Sequence, residues 1–139
     1  MTVRLTRDSA NGTRQRIELA GKAPLFTDLP LDLGGAGADP EPHDYFDVAL
    51  GSCKALTVTY YAQKNGIPLT GVDVEVTRDD SEERKGHYRL DVKLTLRGAL
   101  TDEQRATLLR IADKCPLHKL MTQVEVSIET RLAEGDFSQ

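Results

Sequence analysis

One long helical pattern set between two pairs of strand patterns constrains this 139-residue chain more than any other feature. From His43 to about Asn65, apolar residues recur at Phe46, Ala49, Leu50, Cys53, Leu56, Thr57, Tyr60 and Tyr61, and Gly66 supplies a stop. Ahead of it, Val3 and Leu5 alternate with Arg4 and Thr6. The turn Ser9-Ala10-Asn11-Gly12 then leads to a second alternating run ending Ile17-Glu18-Leu19, which predicts an N-terminal hairpin. Pro24-Leu25-Phe26 is a candidate for one more strand, and the breaker-rich stretch from Leu33 to Pro42 reads as the loop into the helix.

Beyond the helix, Val72, Val74 and Val76, then Tyr88, Leu90, Val92, Leu94 and Leu96, alternate on either side of a charged turn from Asp79 to Gly86. This predicts a second hairpin with a solvated tip. Thr101 lies three residues before Gln104 at the head of a run containing Leu108, Leu109, Ile111 and Ala112, the signature of a capped helix ending near Lys114. Pro116 can open a short further helix, which puts Cys115 at or just before its N-cap, and Val124, Val126 and Ile128 alternate as a final strand. Strands that pair as hairpins, with no strand-helix-strand alternation, define an α+β fold with antiparallel sheets. The length and 39% hydrophobic content fit one domain over residues 1–139. The tail 134–139 reads as frayed.

Composition narrows the partners. A formal charge of −4 with no run of Lys or Arg argues against nucleic acid, which requires clustered positive charge. No stretch approaches the roughly 20 apolar residues that span a bilayer, and Met1–Arg7 lacks a signal-peptide core, so the expected setting is cytoplasmic with no membrane partner. In that compartment a structural disulfide is rare.

Cys53 and Cys115 are the only cysteines, each in a marked context: Ala49-Leu50-Gly51-Ser52-Cys53-Lys54 and Lys114-Cys115-Pro116-Leu117-His118-Lys119. Thiol redox chemistry is the leading reading. A thiolate attacking an O–O bond becomes a sulfenic acid, which a second thiol converts to a disulfide. Cys115, at a helix start beside Lys114, His118 and Lys119, fits a site that lowers a thiol pKa, whereas mid-helix Cys53 needs an activating partner from elsewhere. Two other readings stay open at this point. Two inert buried thiols are one. The other is a metal site built from the Cys115-x-x-His118 element, Cys53, and His43 or His87.

The two cysteine segments together resemble the OsmC/Ohr superfamily, the osmotically inducible protein C and organic hydroperoxide resistance proteins. The likeness rests on Pro42-His43-Asp44 leading to Ala49-Leu50-Gly51-Ser52-Cys53, and on the later Cys115-Pro116. The Leu33-Gly34-Gly35 loop and the Lys64-Asn65-Gly66-Ile67-Pro68-Leu69 helix exit extend it over nearly the whole chain. The resemblance implies an OsmC-like fold, an intertwined homodimer with antiparallel sheets packed around long central helices, and active sites at the subunit interface. It further implies a cysteine-based peroxidase in oxidative stress defence. Cys53 would attack organic hydroperoxides, or less efficiently hydrogen peroxide, and Cys115 would resolve. A dithiol such as a lipoylated protein would regenerate the pair, with no cofactor and no metal.

The family also uses a Glu and an Arg to hold the attacking thiolate. The resemblance places His43 at the Glu position, with Asp44 meeting the looser Pro-x-acid pattern. Ten helical residues rise about 15 Å, so His43 cannot touch its own Cys53 along a straight helix. No Arg occurs between Lys22 and Cys53, which leaves Arg7, and less neatly Arg14, as the Arg candidates. Tyr45, Phe46, Tyr60 and Tyr61 are candidates to line an apolar pocket or simply to pack the core. The alternative function is a small-molecule binding or vestigial protein that keeps the fold without efficient peroxidase activity.

Overall fold

The computed structural model describes residues 1–134 and is α+β, with two antiparallel sheets and three helices. Strand β1 (Val3–Arg7) pairs with β2 (Gln15–Leu19) in the register Val3↔Leu19 to Arg7↔Gln15, and β2 pairs with β3 (Leu25–Thr27) through Ile17↔Leu25. A one-turn 3-10 helix over Leu31–Leu33 then closes on Gly34, whose φ of 103° is a left-handed conformation that a side chain would oppose.

Helix α1 (Pro42–Lys64) begins with Pro42 at its first position and a capping box in which Glu41 and Asp44 satisfy each other's backbone N–H groups. Gly66, at φ 63°, turns the chain out of it. The long hairpin β4 (Leu69–Asp79) and β5 (Arg89–Gly98) pairs Val76 with Val92 and Val74 with Leu94, and its apolar face lies on α1. Gly51 permits that approach, because a Cβ there would stand 3.0 Å from a Val76 methyl. Helix α2 (Asp102–Ala112) opens with the expected Thr101–Gln104 box, and α3 (Pro116–Thr122) follows after a tight turn.

Val58 and Ala62 of α1 and Leu108 and Ala112 of α2 form the buried centre, with Tyr61, Ile67, Leu69, Leu94, Leu96 and Leu100 packed around it. This seam fixes the end of α2, and so the turn that carries Cys115, against the middle of α1.

Two expectations differ from the structure. The buried stripe of α1 runs Asp47, Leu50, Gly51, Lys54, Val58, Ala62, whereas Phe46, Leu56 and Tyr60 of the apolar stripe are exposed, Leu56 at 69%. The helix turns a face containing two charged residues inward because each finds partners there, as described below. Secondly, no strand forms over residues 124–133, and Val124, Val126 and Ile128 are exposed. A strand needs a neighbour to satisfy its backbone groups, and among the described residues this segment pairs with none. The expectation about the tail falls mostly on residues 135–139, outside the described residues.

Candidate active site

Helix α1 presents Cys53 half-buried at its middle, with its Sγ 4.0 Å from Thr57 Oγ1 one turn on. Cys115 is fully buried and is the N-cap of α3: its extended backbone (ψ 139°) aims the side chain back at the first turn, and Sγ accepts the His118 N–H at 3.3 Å. Pro116 at the first helical position makes this arrangement cheap, since its absent N–H would have no partner there. The fold brings the two cysteines close enough for the Cys53 thiol to act on Cys115, and both are free thiols. Burial pushes the Cys115 thiol up, the bond from the His118 N–H pulls it down, the Cys53 thiol pushes it up, and the Lys54 ammonium pulls it down. The net direction is upward, opposite to the expectation from its helix-start position, because complete burial outweighs one N–H and one cation.

Lys54, the residue after Cys53, is the charge that sequence reasoning missed. It is 3% exposed, and its ammonium donates to the Ala112 carbonyl at the end of α2 (2.9 Å) and to His118 Nδ1 (3.0 Å), with Asp113 Oδ1 at 3.5 Å. Since Nδ1 accepts, the ring proton of His118 belongs on Nε2. His118, which the metal reading needed as a ligand, is thereby engaged by a cation. Among the described residues no group of three or more His, Cys, Asp or Glu is arranged to hold a metal ion.

The other candidates lie at the N-terminal end of α1 or in the first hairpin. His43 bridges two carboxylates, Nδ1–H donating to Glu41 at 3.0 Å and Nε2–H to Glu83 at 2.7 Å, and the Glu41 bond raises its pKa. Glu83 belongs to the β4–β5 tip, so that tip is tied to the helix start as well as solvated. Asp44 accepts the Glu41 N–H and an Arg78 N–H at 2.6 Å, and these bonds hold its carboxyl below the usual range. Arg7 donates to the Gly12 carbonyl in the hairpin turn at 2.8 Å, while Arg14 pairs with Asp39 at 2.7 Å and stacks on Phe26. Within one chain, then, the fold joins Cys53, Cys115, Lys54 and His118, and holds His43 and Asp44 apart from them.

Arg78 of β4, unmarked in the sequence reading, gathers Glu41, Asp44 and Asp47, and Tyr88 completes the cluster by donating to Asp47 at 2.8 Å. Burial and that bond push the Tyr88 phenol up to about 12. Phe46 stands edge-on to Tyr88, and the two join Leu50, Leu90, His118 and Met121 around a cavity of about 500 Å³. Of the other aromatics, Tyr45 donates to the Phe26 carbonyl, Tyr61 packs on the core, and Tyr60 is exposed.

The OsmC-like protein family matches residues 34–131, well over half of the chain and inclusive of both cysteine segments. The chain belongs to this family. Solved structures carry the same fold. A protein from Psychrobacter arcticus described as an osmotic stress induced and detoxification response protein aligns at a TM-score of 0.73 and 23% identity, covering 88% of this chain and 89% of that one. An organic hydroperoxide resistance protein OsmC from Legionella pneumophila aligns at 0.61 and 22%, covering 88% and 90%. The organic hydroperoxide resistance protein OhrB of Bacillus subtilis aligns at 0.54 and 18%, covering 88% and 92%. None of the curated protein sequences matches the chain. Among the described residues of this OsmC-like chain, no helix is long and apolar enough to cross a membrane.

Proposed function

We propose that this OsmC-like protein is a two-cysteine peroxidase of oxidative stress defence that reduces organic hydroperoxides. The observation that carries the reading is the nearness of Cys53 and Cys115, distant in sequence, with Lys54 beside the one bonding the Ala112 carbonyl and the His118 ring on either side of the other. Organic hydroperoxide resistance proteins among its structural relatives support the substrate class.

In this reading the Cys53 thiolate attacks the terminal oxygen of ROOH. The O–O bond breaks, the departing alkoxide takes a proton to become ROH, and Cys53 is left as a sulfenic acid. Cys115 then attacks the sulfenic sulfur, forming the disulfide and releasing water. An external dithiol, such as a lipoylated protein, takes up the oxidising equivalents and restores both thiols. The cavity bounded by Phe46, Leu50, Leu90 and Met121 suits the apolar tail of an organic hydroperoxide.

A second copy of the chain completes the molecule in this proposal. Val48, Leu56 and Tyr60 on the outer face of α1, the whole of β1, and Val124, Val126 and Ile128 are exposed in one chain, an extent of apolar surface that calls for a partner. A homodimer would also give Arg7, His43 or Asp44 a route to the partner's Cys53.

One observation favours the alternative of a small-molecule binding protein without efficient activity: within a chain, Asp44 and Arg78 are committed to each other rather than to Cys53. Stopped-flow loss of reduced thiol with cumene hydroperoxide, on wild type, Cys53→Ser and Cys115→Ser, decides between them. Fast oxidation abolished by Cys53→Ser, with sulfenic acid trapped in Cys115→Ser, is the expected result. Oxidation no faster than that of free cysteine would overturn the peroxidase reading in favour of binding.

A further inference from the structure

We propose that Lys54 is a positioning residue for the second half of the cycle: its buried ammonium, fixed between the end of α2 and His118, favours the thiolate of Cys115 as that sulfur attacks oxidised Cys53. The inference rests on the reading of Cys115 as the resolving thiol.

An ammonium at 3% exposure is expensive to bury and needs a reason to be there. Capping α2 alone would not require it, since the last carbonyls of a helix are ordinarily met by water or by a cation reaching in from the surface. Here the cation comes from the interior, from the residue adjacent to one thiol, and bonds the two elements that flank the other: the Ala112 carbonyl before Cys115 and the His118 ring after it. The groups that act on the Cys115 sulfur, and those that hold Lys54 beside it, come from three elements. Helix α1 offers Cys53 and Lys54, and the turn after α2 offers Asp113, which is 71% exposed at its side chain and paired to Lys54. Helix α3 contributes the His118 N–H to the sulfur and the His118 ring to Lys54. Lys54 is the one full positive charge in this set, and it acts on Cys115 in the direction of the thiolate, against burial and the neighbouring thiol.

The step balances without a further reagent. Cys115 loses its proton, its sulfur forms a bond to the Cys53 sulfur, the S–O bond of the sulfenic acid breaks, and the displaced hydroxide and the proton leave as water. Lys54 neither gains nor loses a proton in the account; it lowers the cost of the charge on sulfur while that charge exists.

The test titrates the Cys115 thiolate by its ultraviolet absorbance against pH in a Cys53→Ser background, which requires no peroxide. Lys54→Met should lower the thiolate fraction at a fixed mildly alkaline pH about tenfold, the equivalent of one pKa unit. Lys54→Arg should restore most of it, and Asp113→Asn, a surface change that frees Lys54 of its carboxylate, should raise it. A purely structural Lys54 would lower the melting temperature of Lys54→Met while leaving the titration in place, and that result overturns the proposal. Should Lys54→Met fail to fold, an Asp113→Asn titration identical to its parent overturns it equally. Unchanged titrations beside a wild type that reacts rapidly with cumene hydroperoxide would sink this inference alone. Shifted titrations beside a wild type no more reactive than free cysteine would sink the peroxidase reading and leave the coupling of Lys54 to Cys115 standing.

Discussion

Cys53 and Cys115 are the same side chain placed in two different ways. Cys53 rides the middle of a 23-residue helix, half-buried, where the backbone N–H groups are already used by the helix and the Thr57 hydroxyl one turn on stands 4.0 Å from its sulfur. Cys115 is fully buried at a helix start, where the His118 N–H, shared with the Cys115 carbonyl, points at its sulfur and the buried Lys54 acts on it. The first is open to an incoming molecule and held loosely; the second is closed to solvent and held on several sides. That division suits a thiol that meets substrate and a thiol that meets only its partner. Reactivity follows from surroundings, and a cysteine's apparent sequence context can mislead: Lys114, His118 and Lys119 flag Cys115 as the activated thiol, yet burial raises it.

The difference between the two thiols is most sensitive to the core beneath Cys115. Leu108→Ala removes a fully buried side chain from the α1–α2 seam that sets the Cys115 turn, so stability should fall by about 2–5 kcal/mol in urea unfolding. Where the variant remains folded, oxidation of Cys53 should proceed while closure of the disulfide slows. Equal slowing of both steps would show that the seam does not separate the two sites.

A smaller effect distinguishes the two thiols as structural elements. Cys115 caps α3, so Cys115→Ala should be about 1 kcal/mol less stable than Cys115→Ser, whose hydroxyl can still accept the His118 N–H. At Cys53 no cap is at stake, and Cys53→Ala should be no less stable than Cys53→Ser. Chemical denaturation of the four variants checks both halves.

Titration sharpens the same contrast. Burial raises the Cys115 thiol in the folded state above its value in the unfolded chain. The folded state therefore binds the proton more tightly, and this contribution to stability is present below about pH 8.5, the ordinary thiol range, and is lost as pH rises through the higher folded value. Reduced wild type should lose stability over that window by more than Cys115→Ser does. A curve that is the same for both would contradict the burial argument.

The smallest expected effect lies at the far end of α1. Glu41 and Glu83 favour the protonated form of His43, so its raised pKa stabilises the fold fully below about pH 6.5 and the contribution fades as pH rises through the folded value. The side chain is 44% exposed, and solvent screening keeps the effect small. His43→Asn should remove that pH dependence and leave the Cys115 titration unmoved, since the fold holds the two apart.

Much of this architecture was legible in the sequence for local reasons. Both hairpins announce themselves by alternation, α2 by its Thr101–Gln104 box, and the N-cap role of Cys115 by Pro116. What escaped depends on contacts distant in the chain. Reading α1 by its apolar residues alone sets the stripe through Phe46, Leu56 and Tyr60, but the buried stripe passes through Asp47 and Lys54, which are inward only because Arg78, Tyr88, Ala112 and His118 come to meet them. One signal was available: Asp47, Leu50, Lys54, Val58 and Ala62 fall three or four residues apart, so a charge-bearing helical stripe can be seen beside the apolar one. The strand expected at Val124–Ile128 failed for a related reason, since alternation marks a segment able to pair without supplying the neighbour.

Whether Cys53 and Cys115 work as a pair is decided by peptide mapping, without reductant, of wild type treated with one equivalent of cumene hydroperoxide. A disulfide joining the Cys53 and Cys115 peptides of one chain should form within the time of peroxide consumption. Peroxide consumed with Cys115 still reduced, or Cys53 found linked only to a Cys53 of another chain, would contradict that pairing.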